Sequence, residues 1–108
     1  FAGAFPVWLS PVQAAVIPIS EKHFGYAKKI AKEFQNDDIR FEVKDENETL
    51  GKKIRNAEMQ KIPYLLIIGD KEVEANAVSV RERGKGDLGQ ISIEKFIEEI
   101  KEKIASKK

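Results

Sequence analysis

Hydrophobic positions follow two periods along this chain, and each change of period marks the start of a new element. "QAAVIPI" (13–19) is an unbroken apolar run of the kind a strand covered on both faces requires. Over 21–35, Phe24, Ala27, Ile30, Ala31 and Phe34 recur at helical spacing, with Ser20 as the expected N-cap. Past the Asn36-Asp37-Asp38 turn, Ile39, Phe41 and Val43 alternate with polar partners, which predicts a second strand over 39–44. Leu50, Ile54 and Ala57 predict a second helix, with cap residues drawn from 45–48 and an end before Pro63. The apolar run from Leu65 to Ile68 predicts a third strand over 64–69. A fourth follows over 76–82, with Val78 and Val80 on one face and Arg81 and Arg83 on the other. "RGKGDLGQIS" is a glycine-rich connection with room for a short edge strand at 88–91. Ser92 then caps a last helix carrying Ile93, Phe96, Ile97, Ile100 and Ile104 inward.

That order determines most of the topology. Two right-handed crossovers place the first three strands parallel. Residues 70–75 are too few for a third crossover, so the fourth strand is expected to run antiparallel. The fold class is therefore α/β: a three-layer α/β/α domain on a mixed five-stranded sheet with one reversed strand.

With 108 residues, the chain is long enough for a single core and too short for two. No stretch approaches the ~20 apolar residues of a membrane-spanning helix, and without cysteine neither a disulfide nor a thiolate metal site is possible. That composition suits the cytoplasm. A net charge of +1 gives no global attraction for polyanions, so any such partner must be held locally. "FAGAFPVWLSPVQ" has neither the basic nor the long apolar region of a signal peptide. Its two prolines and tryptophan read as an extended, packed segment, so residues 1–12 are expected to lead in from a preceding domain and 13–108 to form the domain proper.

Catalytic groups are scarce. His23 is the single histidine and is expected to be exposed or half-buried on the first helix; without converging partners it makes neither a metal site nor a general base for a serine. "GKG" at 84–86 lacks the lysine-serine helix start of a phosphate loop and reads as a flexible turn. The domain is expected to catalyse nothing by itself. Binding is better supported, because ligands of parallel α/β sheets sit beyond the carboxyl ends of the strands. That edge is expected to gather the charged residues of 45–48 and 70–74 with the start of the fourth strand, Arg81 falling further along.

"FPVWLSPVQ", "DENETLGKKIR", "IPYLLIIGDKEVE" and "VSVRERGKGDLG", followed by an amphipathic helix, resemble the C-terminal anticodon-binding domain of bacterial threonyl-tRNA synthetases over essentially the whole chain. The resemblance implies tRNA(Thr) as partner, with base recognition by Asn47, Glu72 and Arg81. A carboxylate suits the N1 and N2 donors of guanine, a guanidinium its O6 and N7 acceptors, and an amide suits uracil. Threonine anticodons share guanine and uracil as their second and third letters, and on this reading Glu72 and Arg81 take the guanine together from one end of the sheet. The resemblance also implies that residues 1–12 connect from a catalytic domain, in a homodimeric parent enzyme using ATP with Mg and a zinc ion, none of them bound by this domain.

This chain departs from the pattern at two positions. Glu46 and Thr49 stand where the family carries arginine and lysine, removing two positive charges beside Asn47. Lys52, Lys53, Arg55, Arg83 and Lys85 are the candidate replacements as phosphate contacts. The same domain type occurs in prolyl and glycyl synthetases, and a non-catalytic interaction module reusing the fold is the alternative of a different class.

Overall fold

The computed structural model describes residues 5–45 and 48–107, and these form one sheet with the strand order β2-β1-β3-β4-β5. β1 (Ala14–Pro18) lies inside the sheet with all five residues buried, as its unbroken apolar run requires. It pairs in parallel with β2 (Phe41–Val43) and β3 (Tyr64–Ile68), Val16 standing opposite both Val43 and Leu66. β4 (Ala77–Glu82) runs antiparallel to β3, and β5 (Gly86–Ser92) runs antiparallel to β4. A single strand of the five is thus reversed, as the short connection before it dictates. The edge strand is longer than the 88–91 expected from sequence. Its register slips between Val80 and Arg81, a bulge that leaves Leu88 without a partner residue.

α1 (Phe24–Asn36) and α4 (Ile93–Ala105) cover one face of this sheet. Ala27, Ile30 and Phe34 of α1 and Phe96 and Ile100 of α4 close over Val16, Leu66, Val78 and Val80. α2 (Leu50–Met59) covers the other, where Ala57 packs with Ala15, Ile17, Leu65 and Ile62. Successive residues of β1 therefore enter opposite cores, the period of two expressed in packing.

Three local expectations are corrected. Residues Asp70–Ala75 form a short helix, α3, instead of a loop, and Asn76 stops it in the left-handed region at φ 54°. The N-cap of α2 is Thr49, one residue past the expected 45–48, and its Oγ1 accepts the Lys52 backbone N–H at 3.2 Å. Ser20 precedes a 3-10 turn, Glu21–His23, that runs into α1, and His23 at its end is buried.

Residues 5–12 pack onto the body of the domain. Val7–Leu9 make one 3-10 turn against α4, and Val7 joins the main core. Arg40 ties this segment down, donating from Nε to Ser10 O at 3.0 Å and from Nη2 to Trp8 O at 2.8 Å.

Candidate nucleic-acid interface

α2 packs over β1 and β3, and its apolar layer ends at Leu65 and Ile67. Among the described residues no helix continues that layer over β4 and β5. The strip left open carries Ser79 and Arg81 of β4, both half-buried, and the exposed Gln90 of β5, which stands opposite Ser79 in register. The uncovered half-sheet is bounded by α2 on one flank and by α3 at the carboxyl end of β3. Glu58 of α2 shares with Arg81, Leu65 and Gly84 a cleft of about 190 Å³ at the far end of the strip. Arg55, one turn earlier than Glu58, is exposed on the same flank.

Glu72 occupies the third position of α3, where a carboxylate can fold back over the helix start. Its Oε1 accepts the Gly69 backbone N–H at 2.7 Å, and its Oε2 accepts from Gln90 Nε2 at 3.2 Å. Glu72 thus links the N-terminus of α3 to the edge strand. A second bond network holds the same helix from the other side. His23 Nδ1 accepts the Ser20 N–H at 3.2 Å, so its Nε2 bears the proton donated to Asp70 Oδ1 at 2.8 Å. Lys22 adds a bond to Asp70 Oδ2 at 3.2 Å. The hydrogen bonds from His23 and then Lys22 hold the Asp70 carboxyl below its ordinary value. Tyr26 donates to Ala77 O at 2.8 Å and pins the start of β4; burial, reinforced by Glu33, Glu72 and Glu94, pushes its hydroxyl up to about 12.

The sequence-derived candidates separate in this frame. Asn47 lies outside the described residues. Glu72 stands at the carboxyl edge as expected, but Arg81 does not share that end of the sheet. Arg81 pairs with Leu65, four residues before Gly69, so its backbone lies roughly 13 Å from the Gly69 end of the strip along the strand direction. Among the described residues the Arg81 side chain has neither an ion pair nor a hydrogen bond. Lys53 differs from a free surface cation: it is buried at the floor of a cleft it lines with Ser20 and Glu48, and its ammonium is committed to Pro18 O at 3.2 Å. Arg83 is committed elsewhere too, donating to Lys61 O and Phe5 O, both at 2.6 Å. Lys52 and Lys85 remain exposed, in loose ion pairs with Glu48 at 3.6 Å and Glu82 at 3.4 Å. Thr49, standing where the resemblance expects lysine, exchanges a surface charge for a helix cap.

Gln90 and the His23–Asp70 pair escape a reading of the sequence. Gln90 lies in a stretch that reads as a glycine-rich connection, and its face is defined only by the register of β5. Asp70 and His23 are 47 residues apart, and no local spacing signals the bond.

Residues 13–103 match the family model described as anticodon binding domain. The chain belongs to that family. Over 107 residues this anticodon-binding domain is 59% identical to a threonine–tRNA ligase of Caldanaerobacter subterraneus subsp. tengcongensis, covering 99% of the chain and 17% of the ligase. A threonine–tRNA ligase of Desulforamulus reducens is 55% identical over the same shares. The domain thus spans about a sixth of the length of the curated relatives it matches. Among solved structures, the RNA binding domain of threonyl-tRNA synthetase from Cryptosporidium parvum Iowa II superposes with a TM-score of 0.87 at 30% identity, over 93% of this chain and 25% of that one. Histidyl-tRNA synthetase from Nostoc sp. PCC 7120 shares the fold, with a TM-score of 0.79 at 23% identity, over 87% of this chain and 23% of the other. The domain is of the threonyl type within its family.

Among the described residues no group of three or more histidine, aspartate or glutamate side chains is placed to hold a metal. No helix is long and apolar enough to cross a membrane.

Proposed function

We propose that this domain reads the anticodon loop of tRNA(Thr) on the uncovered half of its sheet, as part of a threonine–tRNA ligase acting in the cytoplasm. The observation that carries the reading is the coincidence of two facts. The family match spans the body of the domain, and within it one strip of sheet is left bare among the described residues, with Glu72 at one end and Arg81, which has no partner among those residues, further along. RNA loops are recognised through splayed bases laid against such surfaces. Guanine would present N1 and N2 to the Glu72 carboxylate, while Arg81, extended along the strip, approaches O6 and N7 on the adjoining edge. The separation of the two charges leaves room for the base between them, instead of a carboxylate–guanidinium pair that would neutralise itself. Asn47 is assigned to the uracil that follows, and Lys52, Arg55 and Lys85 to backbone phosphates. ATP, Mg and zinc, threonine activation and dimer formation belong to the remainder of the parent ligase.

Titration of an anticodon stem-loop carrying GGU against one with adenine at the middle position tests this. The guanine loop is expected to bind tighter by ~1–3 kcal/mol, the discrimination of a bidentate base contact. Equal affinities would show that the strip does not read the anticodon.

A further inference from the structure

The Glu72 carboxylate does not hang free over the strip. Gly69 N–H engages Oε1 at 2.7 Å, and Gln90 Nε2 engages Oε2 at 3.2 Å, so each oxygen is held by one donor from the protein. A carboxylate oxygen offers two lone-pair directions, which leaves one on each oxygen for a ligand. Two parallel acceptors on one rigid plane are what the N1–H and N2–H donors of guanine require. The first holder is backbone and comes with the helix cap. The site at Gly69 is also tight: a Cβ there would lie 2.7 Å from Ile19 Cδ1 and 3.2 Å from Glu72 Oε1, so a side chain would push on the carboxylate itself. The second holder is a side chain from another strand, brought in by the register that sets Gln90 opposite Ser79.

We infer that Gln90 is a positioning residue for anticodon specificity: its amide fixes the plane of the Glu72 carboxylate, so that both oxygens face the guanine edge. The inference rests on the assignment of Glu72 as the guanine reader. A carboxylate held at Oε1 alone can turn about that bond and satisfy N1–H while losing N2–H. Gln90 therefore matters most for the exocyclic amine, the group that separates guanine from inosine. Its N–H serves as a donor to Glu72, so another donor of similar reach should replace it, whereas an apolar side chain of similar size should not.

The experiment measures the 108-residue chain against three anticodon stem-loops with guanine, inosine or adenine at the middle position. Glu72→Gln, Gln90→Leu and Gln90→Lys are compared with wild type, and melting temperature is followed in parallel. Wild type should prefer guanine to inosine, and Gln90→Leu should lose about tenfold of that ratio, the lower part of the range for one base contact. Its melting temperature should stay within a degree or two, because Gln90 is exposed. Gln90→Lys restores a donor to Oε2; its added charge strengthens all three loops alike, and the guanine-to-inosine ratio should return. A purely structural role for Gln90 would move the melting temperature and leave that ratio alone. If Glu72→Gln loses guanine preference while Gln90→Leu keeps the wild-type ratio, the inference fails and the reading of Glu72 stands. If Glu72→Gln changes nothing, both fall. Loss in Gln90→Leu without recovery in Gln90→Lys would mean that the amide touches the base directly, which also overturns the positioning role.

Discussion

Asp70 shows how much a single residue carries at this edge. Its two carboxylate oxygens take separate donors, His23 Nε2 at 2.8 Å and Lys22 Nζ at 3.2 Å, and so join the entry to α1 with the first position of α3. The native state favours the ionised form and holds the group below the ordinary 3.8, while the unfolded chain protonates near that value. The sign follows directly: the bonds stabilise the fold above the unfolded value, and the contribution drains away as pH falls through the lowered folded value. In urea melts between about pH 5 and 2, wild type should therefore lose stability more steeply than Asp70→Asn, and the two should converge at the acid end. Parallel curves would show that the edge does not depend on the ionised carboxylate. Lys22 and Asp70 are mostly exposed, so the part due to that pair should also shrink in high salt.

At the scale of the element, α2 separates cations that look alike in the sequence. Lys52, Lys53 and Arg55 fall within four positions, yet the helical turn sends Lys53 into the domain with Ala57 and leaves the other two in solvent. Binding of the stem-loop should weaken with salt at a log–log slope of only about 2 to 4, because few phosphates are contacted. Lys52→Ala and Arg55→Ala should each reduce that slope by about 0.7 to 1. Lys53→Ala should leave the slope unchanged and instead destabilise the fold by about 1–3 kcal/mol, since Pro18 O loses its buried donor. A fall in slope for Lys53→Ala, with stability intact, would contradict this placement. α3 makes a related point. Its six residues carry four charges, and most of what orders them comes from outside the helix, through Gly69, Gln90, His23 and Lys22.

For the molecule as a whole, arginine does more clamping than its count suggests. Arg40 spends its guanidinium on carbonyls of the segment before β1, Arg83 bridges Phe5 O of that segment to Lys61 O, and the segment packs against α4. The chain's single tryptophan, Trp8, lies in this segment with Lys107 Nζ 5.5 Å from its ring centre. Arg40→Ala should free the segment: Trp8 emission should shift to the red, and stability should fall by about 1 kcal/mol, the lower range for charge-assisted bonds at an exposed site. The rest of the fold should persist, since Arg40 takes no part in either apolar layer. An unshifted spectrum would show that Val7 and the Ser10 and Gln13 hydrogen bonds hold the segment without help.

What the sequence determined by itself was most of the element order and the strand directions. Period placed β1, α1, α2 and α4, and a connection too short for a crossover reversed β4. A match in motif pointed to Glu72. Each of these is local, so it can be read in order. Tertiary structure decided which charged groups remain available. Lys53 and Arg83 look like phosphate ligands until the fold gives them backbone carbonyls, and His23 looks exposed until α3 delivers Asp70 to it. The β3–β4 register leaves Arg81 well along the strip from Gly69, while Gln90, from a stretch that reads as a glycine-rich connection with a short edge strand, arrives beside Glu72. The physical reason is the same throughout. A side chain's hydrogen-bonding capacity is spent on whatever the sheet register and helix packing bring within about 3 Å, and residues far apart in sequence become neighbours only when the layers close.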